Sequence, residues 1–373
     1  MHTARRGRME ETMNLHPYFA DLENRIDPTD EDRLEREWRA FADLKLTKGA
    51  FRTARTPRPA AVEWKRVWIN DALEDDELMI YRELYSVHEK LESGSGELLS
   101  VRSNYGTGII PTMLGAKLFL VPRENDTLPA PHPLENGQED IERLLQNGGR
   151  QPDYSNGLAG KTFRVAERYL ELAAGYPKVS RYVHYYNPDL QGPLALCEAM
   201  WGSDFYYAFY EEPELVHDAL DYLADTFIAF LNRWHRLCPT IDAEHCVEWG
   251  CLHRGRCIIR NDAAMNISGE MYQTFAMPRD ARIIDTFGGG IHFCGRGDHY
   301  IEHVGAIDGI SCVNLSEPYM NDMEKIYRNT IDRGLIIFGL LQSEVDRALG
   351  EGRNLRGRVG AGASAAAWRQ EKD

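Results

Sequence analysis

Short runs of β-branched and aromatic residues alternate along the chain with stretches in which hydrophobic residues recur at helical spacing. This spacing predicts helices over residues 164–174, 213–237, 269–286, 322–332 and 344–350. The β-rich runs predict eight strands, over residues 100–105, 117–121, 182–186, 245–249, 257–260, 291–294, 309–315 and 335–339. Alternation of this kind favours a mostly parallel sheet, and eight strands favour an α/β fold closed into a (β/α)8 TIM barrel. No helical pattern separates the fourth run from the fifth.

Three segments depart from this alternation. Residues 1–60 are charged, carry the helix-start signal Asp27-Pro-Thr-Asp-Glu-Asp, and are predicted to form an N-terminal helical extension to a barrel over residues 61–360. Residues 124–156 are rich in Pro, Gly, Asn and Asp, which predicts a long loop with one short helix, a candidate lid or docking surface. The segment 361–373 is low in complexity and is predicted to be a disordered tail.

Charge and cysteine content limit the possible classes of protein. Lys and Arg number 43 against 58 Asp and Glu, a net charge of -15, which argues against nucleic-acid or anionic-membrane binding because phosphate attraction needs clustered cations. No apolar run is long enough to span a membrane, and none follows the basic N-terminus, so we expect neither a membrane helix nor a secretory signal. Seven cysteines, an odd number, favour free thiols in a reducing compartment and hence a cytoplasmic protein.

The segment Gly288-Gly-Gly-Ile-His-Phe-Cys-Gly carries the sharpest chemical signal. Side chains alternate along a strand, so His292 and Cys294 point the same way, and imidazole with thiolate can bind a borderline-soft metal such as zinc. A catalytic zinc site usually has three protein ligands. Glu317 and Cys312, in or after the next strand, are the candidates for the third. The alternative is that His292 and Cys294 are ordinary buried strand residues.

The segment 248–262 concentrates Trp, Cys, His and Arg where a strand is predicted to end. Its cations, Arg254, Arg256 and Arg260, could hold carboxylates or phosphates. The alternative is a polar surface loop with structural cysteines, which lack the C-x-x-C spacing of a zinc site.

Two further turns follow predicted strands. Asn104-Tyr-Gly-Thr-Gly lacks the glycine pattern of a dinucleotide fingerprint and the Gly-Lys-Ser/Thr of a phosphate loop, so nucleotide binding is not expected there. Asn187-Pro-Asp-Leu-Gln-Gly-Pro carries Gln191, whose amide could orient a substrate or belong to a simple helix cap. The aromatic run 206–210 is more typical of a helix core than of a cofactor site.

Several of these segments together resemble the uroporphyrinogen decarboxylase superfamily over roughly residues 75–360. The similar segments are Asp189-Leu-Gln-Gly-Pro-Leu, the helix from Gly202-Ser-Asp-Phe-Tyr-Tyr, Asn261-Asp-Ala-Ala-Met-Asn, Ile291-His-Phe-Cys-Gly and Gly352-Arg-Asn-Leu-Arg-Gly-Arg-Val. The resemblance implies a (β/α)8 barrel with its active site at the C-terminal ends of the strands.

The superfamily includes metal-free decarboxylases and corrinoid-linked methyltransferases. The Arg-Gln-Ala-Gly-Arg motif typical of the decarboxylases is absent here. The methyltransferases carry an H-x-C zinc pair, which this chain resembles at His292 and Cys294, followed by a late cysteine, which it lacks after Cys312. Related cobalamin-independent methionine synthases add a glutamate from the next strand, which Glu317 resembles.

The resemblance therefore favours a methyltransferase-like enzyme over the decarboxylase itself. It implies zinc at His292, Cys294 and Glu317, and a methyl group passing between a corrinoid on a partner protein and a small-molecule donor or acceptor. The pocket residues would be Asp262 and Asn266 as catalytic groups, with substrate bound by Asn104, Gln191, Trp249, Arg254 and Arg260. Two alternatives stay open: a metal-free lyase holding carboxylates with Arg102, Arg254, Arg256 and Arg260, and a non-catalytic corrinoid- or tetrapyrrole-binding barrel.

Overall fold

The computed structural model describes residues 13–146 and 152–361, so the tail 362–373 and part of the loop 124–156 lie outside the described residues. The helices are α1 His16–Arg25, α2 Pro28–Ala42, α3 Ile69–Ala72, α4 Asp76–Ser93, α5 Ile109–Met113, α6 Gln138–Gln146, α7 Gly157–Ala173, α8 Pro177–Tyr182, α9 Pro193–Trp201, α10 Phe205–Glu211, α11 Pro213–Leu237, α12 Gly269–Met271, α13 Met277–Phe287, α14 Ile301–Val304, α15 Met323–Asn329 and α16 Gln342–Gly350. The strands are β1 Ser100–Val101, β2 Leu118–Phe119, β3 Ala130–Pro131, β4 His184–Tyr185, β5 His245–Glu248, β6 Cys251–Arg254, β7 Cys257–Arg260, β8 Gly289–Phe293, β9 Ile310–Leu315, β10 Ile336–Leu340 and β11 Val359–Ala361.

The central sheet is parallel, with the strand order β11-β10-β9-β8-β7. Four of its five strands, β7 to β10, confirm the last four predicted strands to within two residues at each end. Arg260 pairs with His292, and His292 pairs with Asn314, along neighbouring strands. Because parallel strands share one direction, the C-terminal ends of β7, β8 and β9 meet at the same edge of the sheet.

Further pairings extend this parallel arrangement. β1 pairs with β4 in parallel, and single bridges join Gln191 to Arg260 and Phe51 to Gly360. The mixed α/β architecture with a parallel sheet is therefore confirmed. These pairings do not establish a closed ring of eight strands, and the barrel stays a prediction.

Two of the predicted strands and the start of the predicted tail are corrected. The run 117–121 pairs antiparallel with β3, outside the parallel sheet, and Phe119 and Leu120 are about half exposed. The run 245–249 turns back on itself as an antiparallel hairpin of β5 and β6, which explains why no helical pattern follows it. Residues Val359–Ala361 form β11 against β10, so Ala361, the first residue of the segment predicted to be a disordered tail, belongs to a strand.

The N-terminal helices pack into the fold. Asp27 caps α2 by accepting a hydrogen bond from the backbone amide of Thr29, where the sequence predicts a helix start. Trp38 and Phe41 of α2 pack in one hydrophobic cluster with Phe51. The same cluster includes residues of the hairpin and of the central sheet: Val247, Cys251, Leu252, Ile258, Cys312, Ile336 and Phe338. Within the described residues, no helix combines the length and apolar character needed to cross a membrane.

Candidate metal centre

Three neighbouring strands bring the candidate site together at one edge of the sheet. Asp262 begins a short turn two residues beyond the end of β7, Cys294 directly follows β8, and Ser316 directly follows β9. Gly295 then has φ +70°, and a Cβ there would come within 2.8 Å of the Met265 side chain. Glycine at position 295 thus allows a tight turn after Cys294 and a close contact with the Met265 side chain.

Asp262, His292 and Cys294 each place one donor atom within 4.8 Å of the other two. The Cys294 sulfur lies 3.4 Å from His292 Nε2, and Asp262 Oδ1 lies 3.6 Å from the same nitrogen. Asp262 Oδ1 also accepts a hydrogen bond of 2.8 Å from the backbone amide of Cys294. All three residues are partly buried. The arrangement offers one nitrogen, one sulfur and one oxygen donor at one point.

Asn314 orients the His292 ring. The Asn314 side-chain nitrogen donates to the backbone oxygen of Phe338 at 2.7 Å, so its oxygen faces His292 Nδ1 at 2.5 Å. That oxygen can only accept, so Nδ1 carries the proton and Nε2 presents a lone pair. Ligating histidines usually donate their other ring nitrogen in this way. His292 is therefore held in the tautomer that can bind a metal through Nε2.

The Cys294 thiol is neutral in this environment. Burial, followed by the charges of Asp262 and Glu317, raises the pKa of Cys294 to about 12, although a hydrogen bond to Ser316 opposes the shift. The sulfur lies 3.6 Å from the Ser316 hydroxyl. A cation between Cys294 and Asp262 would reverse this balance, because a coordinating thiol loses its proton.

The group of mutually close donor atoms includes neither of the two sequence candidates for the third ligand, Glu317 and Cys312. Glu317 Oε2 accepts a hydrogen bond of 2.6 Å from the backbone amide of Gly295, and Glu317 does not belong to the group of mutually close donor atoms. Cys312 pairs with Gly290 near the start of β9 and lies in the hydrophobic cluster with α2. Asp262, expected as a catalytic pocket residue, lies close enough to His292 and Cys294 to offer the third donor atom. Glu317 instead fixes the turn after Cys294.

A buried network of charges lies beside the candidate site. Arg260 lies 2.9 Å from Glu248 and 3.1 Å from Asp189. Its guanidinium also lies over the Trp249 ring, 4.6 Å from the centroid, and that ring lies 5.5 Å from the His292 ring. Trp249 thus separates the charged network from His292.

The carboxylates of Asp189 and Glu248 form ion pairs with Arg260. Burial disfavours the charged form of Asp189, but Arg260 and Arg102 outweigh it, so the pKa of Asp189 lies below its usual value. Arg102 approaches Asp189 at 3.4 Å. Both arginines are therefore neutralised by the protein itself.

Two other predicted cations lie at the opposite end of the strands. Arg254 pairs in register with His245 at the start of β5, because β6 runs antiparallel. Arg256 donates from its side chain to the backbone oxygen of Thr286, before β8 begins. The expectation that Arg254 and Arg256 lie at the strand ends with His292 is wrong, since the reversal of the chain at Trp249 and Gly250 carries them away.

The remaining predicted residues line the strand-end side. Gln191, bridged to Arg260, donates to Asp189 at 3.3 Å. Asn266 donates to the Tyr206 hydroxyl at 2.9 Å, outside the group of metal donors. The side-chain oxygen of Asn104, three residues after β1, is buried and accepts no hydrogen bond within the described residues. Its role as a substrate contact stays a prediction.

Sequence reasoning missed Asn314 and Ser316 as members of the site. A signal existed for Asn314, because it is a polar residue inside the otherwise hydrophobic run 310–315. Its partner could be identified only from the register, which sets Asn314 beside His292.

No family model matches the chain, and no curated protein matches it. A solved structure of a methyltransferase from Methanosarcina mazei is similar in fold, with a TM-score of 0.58 and 14% sequence identity. The match covers 88% of this chain and 93% of that chain. The fold is thus shared over nearly the whole length of both chains.

Proposed function

We propose that the protein is a zinc-dependent methyltransferase, which moves a methyl group between a corrinoid on a partner protein and a small molecule. The observation that carries the proposal is the convergence of Asp262, His292 and Cys294, with donor atoms within 4.8 Å of one another. The fold shared with a methyltransferase supports the reaction class. We further propose that the parallel sheet, β1 and β4 belong to one barrel of the uroporphyrinogen decarboxylase type.

The residues present fit a zinc ion. Nitrogen, sulfur and carboxylate oxygen are the donors that zinc takes in proteins, and three protein ligands leave one position open, as in catalytic sites. The Asn314 contact already selects the required tautomer of His292. Zinc bound here would act as a Lewis acid that lowers the pKa of a substrate heteroatom.

The side chains around the ion have distinct tasks. Asn314 holds the proton on His292 Nδ1, so that the ring does not turn its N–H toward the site. Asp262 supplies negative charge that offsets the cation and is itself positioned by the Cys294 amide. The Trp249 ring forms an apolar wall beside His292, and an apolar wall that excludes water strengthens electrostatic contacts in a site.

The described cations disfavour the lyase alternative. Holding several substrate carboxylates requires cations that are not already paired, but Arg102 and Arg260 contact Asp189. Arg254 and Arg256 lie at the other end of the strands. A metal-free decarboxylase would have to break buried ion pairs, at a cost of about 3–5 kcal/mol each.

Demethylation of methylcobalamin tests the proposed function. With zinc and a panel of thiol and other acceptors, the cobalamin spectrum should report methyl loss, and Cys294→Ala should slow it at least about a hundredfold, the scale for loss of a main electrostatic group. The control is Cys197→Ala, which removes a buried thiol from α9. Zinc-independent release of CO2 from a uroporphyrinogen-like substrate, without methyl transfer to any acceptor, would contradict the proposal. Corrinoid binding without turnover would favour the non-catalytic alternative.

A further inference from the structure

A second group of potential metal ligands lies on the β5–β6 hairpin. Cys246 and His253 are directly paired across the two strands, and Glu248 lies two residues from Cys246 on the same face. One donor atom from each residue lies within 4.8 Å of the other two. All three residues are buried, with Glu248 and His253 fully inaccessible to solvent.

The buried His253 side chain has one ring nitrogen, Nε2, without a hydrogen-bond partner among the described residues. Its Nδ1 lies 3.0 Å from the backbone oxygen of Arg254, which can only accept, so Nδ1 carries the proton and Nε2 is the acceptor. Within the described residues, Nε2 has no hydrogen-bond partner. Leaving a buried acceptor unsatisfied lowers the stability of the folded protein. A ligand on Nε2 would remove that cost, and the Nδ1 contact is the one that metal-bound histidines usually make.

Glu248 can take a further ligand without losing its present partners. Its oxygens accept from Asn187 at 2.8 Å, from the backbone amide of Ile258 at 3.1 Å and from Arg260 at 2.9 Å. A carboxylate offers about four lone-pair positions, so one is left. With a thiolate on Cys246 and a neutral His253, the three ligands would carry two negative charges toward a divalent cation, and Glu248 would share its charge with Arg260.

The spacing suits a small ion. Tetrahedral zinc with bonds of about 2.0–2.3 Å sets its ligands about 3.3–3.8 Å apart, so donor atoms within 4.8 Å of one another need to approach by at most about 1.5 Å. Cys246 and Asn187 also line a cavity of about 310 Å³ that is partly open to solvent. The cavity therefore borders one of the three candidate ligands.

We propose that Cys246, Glu248 and His253 form a second, structural metal site that takes a borderline-soft divalent cation such as zinc. The ion ties β5 to β6 and holds the hairpin against the hydrophobic cluster that includes Trp38 of α2. This site is separate from the donors at Asp262, His292 and Cys294, and it does not depend on the proposed methyl transfer.

Zinc content of untagged protein, measured for single and double variants, tests the second site. Wild type is expected to hold two zinc ions per chain, Cys294→Ser one, Cys246→Ser one, and the double variant none. The matched control is Cys197→Ser, which changes a buried thiol outside both groups and should keep both ions. Equal zinc content in Cys246→Ser and wild type would overturn the proposal.

Cobalt spectroscopy of Cys294→Ser covers the case in which the hairpin variant does not fold. This protein keeps the hairpin intact, so one equivalent of Co2+ should give tetrahedral d–d bands and a thiolate-to-cobalt charge-transfer band. A spectrum without the charge-transfer band would overturn the second site. If instead Cys294→Ser binds as much zinc as wild type, the centre at His292 fails while the hairpin site stands.

Discussion

Replacing Asn314 by alanine tests how the candidate centre is built, without touching a ligand. The Asn314 oxygen is the only acceptor recorded for His292 Nδ1 among the described residues, at 2.5 Å. Without it the imidazole loses its fixed tautomer and orientation. Loss of such a partner typically weakens metal binding about 10- to 100-fold, which corresponds to about 1.4–2.7 kcal/mol. We therefore expect the zinc dissociation constant of Asn314→Ala to rise by that factor.

The assay is competition for zinc with a chromophoric chelator, combined with urea unfolding. Asn314→Ala also loses the hydrogen bond to Phe338, so its stability will fall for reasons unrelated to zinc. Asn70→Ala is the matched control, because Asn70 likewise donates to a backbone oxygen, that of Val121, at 2.9 Å. It should lower stability but leave zinc affinity unchanged. An affinity for Asn314→Ala within about twofold of wild type would refute the role given to Asn314.

Three further predictions concern the third ligand, the buried arginine and a buried carboxyl. Asp262→Ala should weaken zinc binding more than Glu317→Gln, and equal effects in the chelator assay would count against Asp262 as the ligand. Arg260→Ala should cost about 3–5 kcal/mol in urea unfolding, because it leaves the fully buried carboxylate of Glu248 without its cationic partner, whereas Asp189 keeps its contact with Arg102; Arg254→Ala, at an exposed hairpin end, should change stability by less than about 1 kcal/mol. Burial raises the pKa of Asp280 from 3.8 to about 7 in the folded protein. Because the folded state favours the neutral carboxyl, this contribution to the free energy of unfolding is fully present below about pH 4. It is lost as the pH rises to about 7, where the free energy of unfolding is lower by about 4 kcal/mol. Asp280→Asn should remove most of this loss, and parallel pH–stability curves for variant and wild type would contradict that assignment.

The sequence predicts the parallel sheet well because its strands are regular. The runs that form β7 to β10 are short and β-rich, and helical patterns separate each of them from the next. Such runs in a parallel sheet are buried on both faces. The sequence does not predict the β5–β6 hairpin, because tryptophan is not a residue expected in its turn. The turn residues Trp249 and Gly250 both have positive φ. That geometry fits a two-residue hairpin loop, but the usual Asn-Gly signal is absent. Tryptophan occupies the strained position, with its ring between Arg260 and His292.

The site could be predicted in part, for a similar reason. The pair His292 and Cys294 follows from alternation along one strand, which is local information. The proximity of Asp262 to His292, and the contact by which Asn314 positions His292, depend on the register between strands, and no local pattern encodes that register. The position of Arg254 could not be predicted either, because the chain reverses at Trp249 and Gly250. The antiparallel strand β6 places Arg254 beside His245, at the opposite end of the strands from His292.

Anomalous diffraction at the zinc edge, from crystals of zinc-loaded protein, tests the central claim most directly. The account predicts a peak bonded to His292 Nε2, Cys294 Sγ and an Asp262 carboxylate oxygen, at zinc–ligand distances of about 2.0–2.3 Å. It also predicts that Asn314 still accepts from His292 Nδ1 in the loaded protein. Zinc-loaded crystals with no peak at these three side chains, with His292, Cys294 and Asp262 still in contact with one another, would contradict the account.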